Sequence, residues 1–308
     1  MAGYLARTLL KMALTLWLIA TIVFFATRMS GEAVDFIAPE GMDAQSRREM
    51  IAYFGLDAPM STQYWRFLVG LSEGEFGLSL IERRPVATIF LERVGPSLSL
   101  LAGALAVTLA VAIPAGVFAA VRRGSAASGA VMTLAFIGYA TPNFVLATLM
   151  LLVFSFWLQL LPSAGNATAL HYVMPVTALS AFYVASLTRY TRNAMLDVLG
   201  QDYLRTARAK GLPERTVILK HALRNTLVTV LSVLGLMVSG LAAAGNVVIE
   251  TVFSWRGVGD LLVSAALRRD YPVLQFGVMA VACAVVAINA LVDIAYAAVD
   301  PRVRLTKR

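Results

Sequence analysis

Residues 197–225 read DVLGQDYLRTARAKGLPERTVILKHALRN, and on this stretch the reading of the whole fold turns. Asp197, Asp202, Arg205, Arg208, Lys210, Glu214, Arg215, Lys220 and Arg224 place nine formal charges in one segment, with His221 beside them. At about 3 kcal/mol per charge, keeping them in hydrocarbon would cost on the order of 27 kcal/mol. Long apolar runs flank the segment on both sides. It is therefore a polar island in a chain composed for a membrane.

The composition agrees. Of 308 residues, 59% are hydrophobic and only 14% charged, with a mean hydropathy of +0.74; a soluble domain carries about 25% charged residues. Several apolar runs reach the roughly 20 residues needed to cross about 30 Å of hydrocarbon. Alternating ten-residue strands of the outer-membrane barrel kind are absent. The expected fold class is all-α, a polytopic membrane protein with six transmembrane helices. The spans are expected near 9–27, 96–121, 131–161, 172–190, 226–249 and 273–299, the third interrupted by Gly138, Pro142 and Asn143. Three regions follow: 1–28, a cytoplasmic start and first span; 29–95, an external subdomain; and 96–308, a five-helix core that includes the island. Within the external region, Ile81, Val86, Ile89, Phe90 and Val94 form an amphipathic pattern suited to lying at the interface. The basic start resembles a signal peptide, but no Ala-x-Ala-type exit follows, so an uncleaved first helix is expected.

Counting Lys and Arg orients the chain. With the N-terminus inside, the short loops and tails divide 16 inside to 3 outside; the other seven lie in the long first loop, which is exempt from the positive-inside rule. Both termini and the island are then cytoplasmic. The single cysteine, Cys283, lies in an apolar run, which excludes an intrachain disulfide and a cysteine-based metal site.

The island has its own grammar. Val198 to Lys210 reads as a helix; Gly211 suits the left-handed position that ends one, and Pro213 suits the first turn of the next. Glu214 falls in that turn, where a negative charge suits the helix dipole. Such a helical hairpin can insert into a groove of another protein. It equally suits a solvated connector whose charges only set topology.

The string Gln201-Asp202-Tyr203-Leu204-Arg205-Thr206-Ala207-Arg208-Ala209-Lys210-Gly211-Leu212, followed by His221-Ala222-Leu223-Arg224-Asn225, resembles the cytoplasmic loop of the dipeptide/oligopeptide permease family. Ala207 and Gly211 match the second alanine and the glycine of that loop in the wider class, and Arg205 and Thr206 replace its first two residues. The resemblance extends along the chain. It takes in Gly55 to Pro59, Gly74 to Ser79, Ala119 to Ser125, Leu161 to Gly165, Glu250 to Gly259, Arg269 to Pro272 and Asp300 to Arg304. The chain departs from it at Ser30-Gly31-Glu32, at Trp255-Arg256-Gly257 and near Thr229, where family prolines are missing.

The resemblance implies a type I ABC importer-like permease, half of a pathway for peptides or similar small solutes. It implies a second homologous permease subunit, two ATPase subunits that bind ATP and Mg, an extracytoplasmic binding protein and the lipid bilayer as partners. It assigns coupling to Tyr203, Arg205, Thr206, Ala207, Arg208, Ala209, Lys210, Gly211, Leu212, Glu214 and Arg215. No Gly-x-x-x-x-Gly-Lys-Ser/Thr loop occurs here, so no cofactor is expected in this chain. His171 and His221 lie in different loops without a carboxylate cluster, so neither catalysis nor a metal is expected. No nucleic acid is expected either.

Asn143, Ser239, Asn246 and Glu250 are candidates for the pathway, because polar groups in a membrane need partners or water. Asp293 is the one acid well inside a span. Gly235, Gly240 and Gly245 are expected to permit close helix packing. The competing readings are an ATP-independent secondary transporter or channel and a membrane-embedded enzyme. The first would place ionisable groups near the midplane; the second would cluster His or acidic residues at one membrane face.

Overall fold

The computed structural model describes residues 2–29, 42–53, 57–241 and 247–299. Among these the chain is helical, with a single isolated antiparallel bridge between Leu78 and Pro85. The helices are α1 (Ala2–Met29), α2 (Ala44–Tyr53), α3 (Met60–Glu73), α4 (Val86–Val121), α5 (Ala126–Ala140), α6 (Asn143–Met150), α7 (Ala169–Leu199), α8 (Asp202–Ala209), α9 (Glu214–Thr216), α10 (Leu223–Gly240), α11 (Val247–Val252), α12 (Val258–Leu267) and α13 (Tyr271–Val299). Seven residues of π-helix, Leu151–Trp157, extend α6, and six more, Val217–Ala222, join α9 to α10. Among the described residues, four helices are each long and apolar enough to cross a membrane: Leu10–Met29, Val86–Val121, Ala169–Leu199 and Tyr271–Val292. Two bent pairs raise the number to six.

The third span is interrupted where the sequence expects it, at Pro142: two half-helices meet there at 99°. Thr141 caps α5 in an extended conformation, and Pro142 stands before α6 with φ −59° and ψ 135°. A residue before proline is driven out of the helical region, which makes the break sharp. The segment expected to lie at the interface is instead the beginning of α4, which starts at Val86 and runs through Pro96. Val86 and Ile89 are buried with Leu261, Ala265 and Val273.

The chain falls into two compact units, Met1–Gly95 with Gly257–Val286, and Pro96–Arg256 with Ala287–Arg308. In the first unit α3 lies against the second half of α1. Phe24 is 1% exposed and meets the Tyr64 and Phe67 rings at 5.2 and 5.4 Å, and the hydroxyls of Thr21 and Tyr64 hydrogen-bond at 2.7 Å. α3 ends on Gly74 at φ +78°. The loop after it is tied down by Asp270, which is 5% exposed. Ser79 Oγ donates to one carboxylate oxygen at 2.5 Å and the Leu80 N–H to the other at 3.1 Å. Two strings read separately in the sequence, Gly74 to Ser79 and Arg269 to Pro272, thus meet on one carboxylate.

In the second unit α7 is the central helix and packs against α5, α6 and α10, and α4 meets it through Gly103, Ala112 and Gly116. Small residues set its approach to α4. A Cβ built on Gly116 would meet Thr191 Cβ at 2.6 Å and the Thr188 carbonyl oxygen at 2.8 Å, and one on Gly103 would meet Val176 at 3.0 Å. Close packing is thus seen at these two glycines, whereas a Cβ on Gly240, one of the three expected to permit it, meets nothing within 4 Å among the described residues. Gly245 lies outside the described residues. The main core gathers Leu100, Ala104, Ala147, Met174, Leu179, Ile249, Phe253 and Trp255.

Candidate functional site

The charged island folds as a hairpin. α7 ends at Gly200, and α8 follows as a separate two-turn helix whose apolar side chains, Leu204 (0% exposed) and Ala207 (7%), face inward. They pack with Ala120, Met195, Val217 and Ala222. α8 closes with a paired turn: the Gly211 N–H donates to the Arg208 carbonyl at 2.9 Å and the Leu212 N–H to the Ala207 carbonyl at 3.4 Å. This geometry requires a left-handed residue, and Gly211 supplies it at φ +76°. Pro213 then stands just before α9, and its carbonyl accepts from the Thr216 and Val217 N–H groups at 2.8 and 3.1 Å.

Across the turn, Arg208 holds Glu214 in a fork, with Nε at 3.1 Å from Oε2 and a terminal nitrogen at 2.9 Å from Oε1. The hydrogen bonds that Arg208 donates to Glu214 push its guanidinium above its already high pKa. Asn225 Nδ2 donates to the Tyr203 hydroxyl at 2.6 Å, joining the far ends of the two arms. Of the residues assigned to coupling, Tyr203, Arg205, Thr206, Arg208, Ala209, Lys210, Gly211, Leu212, Glu214 and Arg215 are exposed. Ala207 is the exception. It is part of the seat on which the hairpin rests.

Three of the pathway candidates, Glu250, Ser239 and Asn143, lie among the described residues. Glu250 is fully buried, and its carboxylate accepts from Ser97 Oγ at 2.6 Å. Beside it, the fully buried Trp255 donates its indole N–H to the Pro96 carbonyl at 3.1 Å and meets the Tyr172 ring edge-on at 4.6 Å. The Ser99 and Tyr172 hydroxyls hydrogen-bond at 3.0 Å. Glu250 thus closes a polar clamp between α4 and α11. Ser239 donates back to the Gly235 carbonyl of its own helix at 3.2 Å, and Asn143 is the half-buried first residue of α6. Asn246 and the side chain of Asp293 lie outside the described residues. His171 has a local role: its Nδ1 bonds the Thr168 hydroxyl at 2.8 Å and closes the capping box of α7.

One feature escaped the sequence reading. A cavity of about 460 Å³ lies between α5, α7 and α10. From α7 it is lined by Phe182, Tyr183, Ser186, Arg189, Tyr190 and Asn193, a spacing that keeps to one helical face. The signal was readable as an aromatic and polar stripe. It was missed because Arg189 was counted with the cytoplasmic flank.

Residues 112–305 match the family described as binding-protein-dependent transport system inner membrane component. The glutathione transport system permease protein GsiC of Escherichia coli (strain K12) is 38% identical over 305 residues, covering 99% of each chain. The protein of the same name from Shigella flexneri serotype 5b is 37% identical over the same length, again covering 99% of each. Among solved structures, a chain of the MetNI methionine ABC transporter in an inward-facing form matches with a TM-score of 0.57 at 17% identity, covering 70% of this chain and 98% of that one. The fold likeness supports the all-α permease architecture, and the family excludes the ATP-independent and enzymatic alternatives. The chain belongs to the family of binding-protein-dependent transport system inner membrane components: it is a transmembrane permease subunit of an ATP-binding cassette importer, a transport component and not an enzyme.

Proposed function

We propose that the hairpin over residues 197–225 is the element through which this permease is driven, received in a groove of a separate ATPase subunit on the cytoplasmic side. The carrying observation is its build. An apolar seat of Leu204 and Ala207 leaves the cationic rim, the Gly211 turn and the Arg208–Glu214 fork facing outward. Two ATPase subunits, carrying ATP and Mg, and a second homologous permease complete the translocation unit. An extracytoplasmic binding protein delivers the cargo to external loops that include residues 29–95. Both termini are cytoplasmic, a topology supported by the Lys and Arg distribution. The cargo is a peptide or a similar small solute. The glutathione permease relatives make glutathione the first to test.

The test is Gly211→Pro. Proline holds φ near −65° and has no N–H, so it can adopt neither the +76° conformation nor the bond to Arg208. Insertion of the chain into membranes stays normal and ATP-dependent uptake of labelled glutathione or of a small peptide panel is lost. Normal uptake by this variant would remove the driving role of the hairpin. In addition, cysteines at Glu214 or Arg215 crosslink to the ATPase; their reaction with an external, membrane-impermeant thiol reagent would overturn the topology.

A further inference from the structure

The cavity between α5, α7 and α10 combines three properties. Its volume of about 460 Å³ is in the range of small-ligand sites. Its wall is aromatic: the Tyr139 ring stacks on Phe182 at 5.2 Å and an interplanar angle of 23°, and Phe182 meets Tyr183 edge-on at 5.4 Å. It holds one cation, Arg189, whose guanidinium lies 4.9 Å from the centre of the Tyr139 ring, and no acidic side chain lines it. A π face orients a guanidinium without neutralising it. The fork therefore stays available for an anion, with Ser186 and Asn193 one helical turn to either side.

From this we propose that the cavity is where the membrane domain contacts its cargo. Arg189 takes a carboxylate, and the rings of Tyr139 and Phe182 take the apolar body of a small peptide-like solute. A planar fork matches a carboxylate through two parallel hydrogen bonds, and a single cation selects one negative group over several. The proposal rests on the permease reading and gives that reading a cargo chemistry.

Labelling in inside-out vesicles carrying the assembled transporter tests it without requiring uptake, so its failure is separable from failure of the permease reading, which the Gly211→Pro uptake measurement reports. In a Cys283→Ser background, Asn193→Cys reacts with the anionic sulfonatoethyl methanethiosulfonate about fivefold faster than with the cationic trimethylammonioethyl reagent, after normalisation to a free thiol. The preference disappears with Arg189→Gln and survives with Arg189→Lys. Millimolar trialanine slows the labelling, and trialaninamide, which lacks the carboxylate, does not. Equal rates for the two reagents, a preference indifferent to Arg189→Gln, or equal protection by the amide would each overturn the proposal. So would a rate unmoved by either peptide but raised when anionic lipids are removed, because the cavity would then hold a lipid headgroup.

Discussion

Two carboxylates in this protein each tie together separate pieces of chain, and they do so in opposite ways. Asp270 is almost fully buried and holds a loop through the Ser79 hydroxyl and the Leu80 N–H, 191 and 190 residues away. Glu214 is more than half exposed and meets Arg208 six residues away. A buried carboxylate left without its donors is expensive, so the Asp270 loop has one geometry. An exposed ion pair contributes little, and the hairpin takes its stability from Leu204 beneath it. The hairpin thus holds its shape through apolar packing and leaves its charged rim exposed to a partner. The loop uses its charge to hold itself.

Three substitutions can break or sharpen that contrast. The largest effect belongs to the seat: Leu204→Ala removes a fully buried side chain and costs about 2–5 kcal/mol, read as a lower thermal unfolding midpoint in detergent. An unchanged midpoint would mean that α8 is not held by its apolar face. Next comes Asp270→Asn, which turns two charge-assisted hydrogen bonds into ordinary ones or loses one, at about 2 kcal/mol. Protease cleavage between Leu78 and Arg84 should rise with it, and resistance equal to the parent would show that the carboxylate does not secure the loop. The smallest effect is that of Arg208→Ala, below about 1 kcal/mol. It should leave the unfolding midpoint nearly unmoved while reducing uptake or the Glu214→Cys crosslink to the ATPase. A midpoint drop matching that of Leu204→Ala would erase the distinction between seat and rim.

The hairpin was legible in the sequence because its determinants are local. Glycine, proline and charge within a few residues dictate a turn, and Gly211 adopts the left-handed conformation expected of it. Clustered charge and apolar run length made the helical membrane class legible for the same reason. The junction of Ser79 with Asp270 was not legible, since two segments 191 residues apart leave no periodic trace of their meeting. Pro142 announced an interruption but not a bend of 99°, which depends on what the two half-helices pack against. Val86 and Ile89 looked like an interfacial face because their apolar stripe carries no label for its partner. Only Leu261, Ala265 and Val273 reveal it. Likewise Glu250 reads as a polar group at a helix end until Ser97 appears beside it.

The length of α7 has a mechanical consequence. Its 31 residues span about 46 Å at 1.5 Å per residue, about 16 Å more than an upright helix needs to cross about 30 Å of hydrocarbon. Met195, four residues before its C-terminal end, bears Leu204 of the hairpin. The hairpin is therefore seated near one end of a single long rod. Tilting it by about 10° around its opposite end would carry the tip through about 8 Å, the width of a side chain or more, without breaking a backbone hydrogen bond within it.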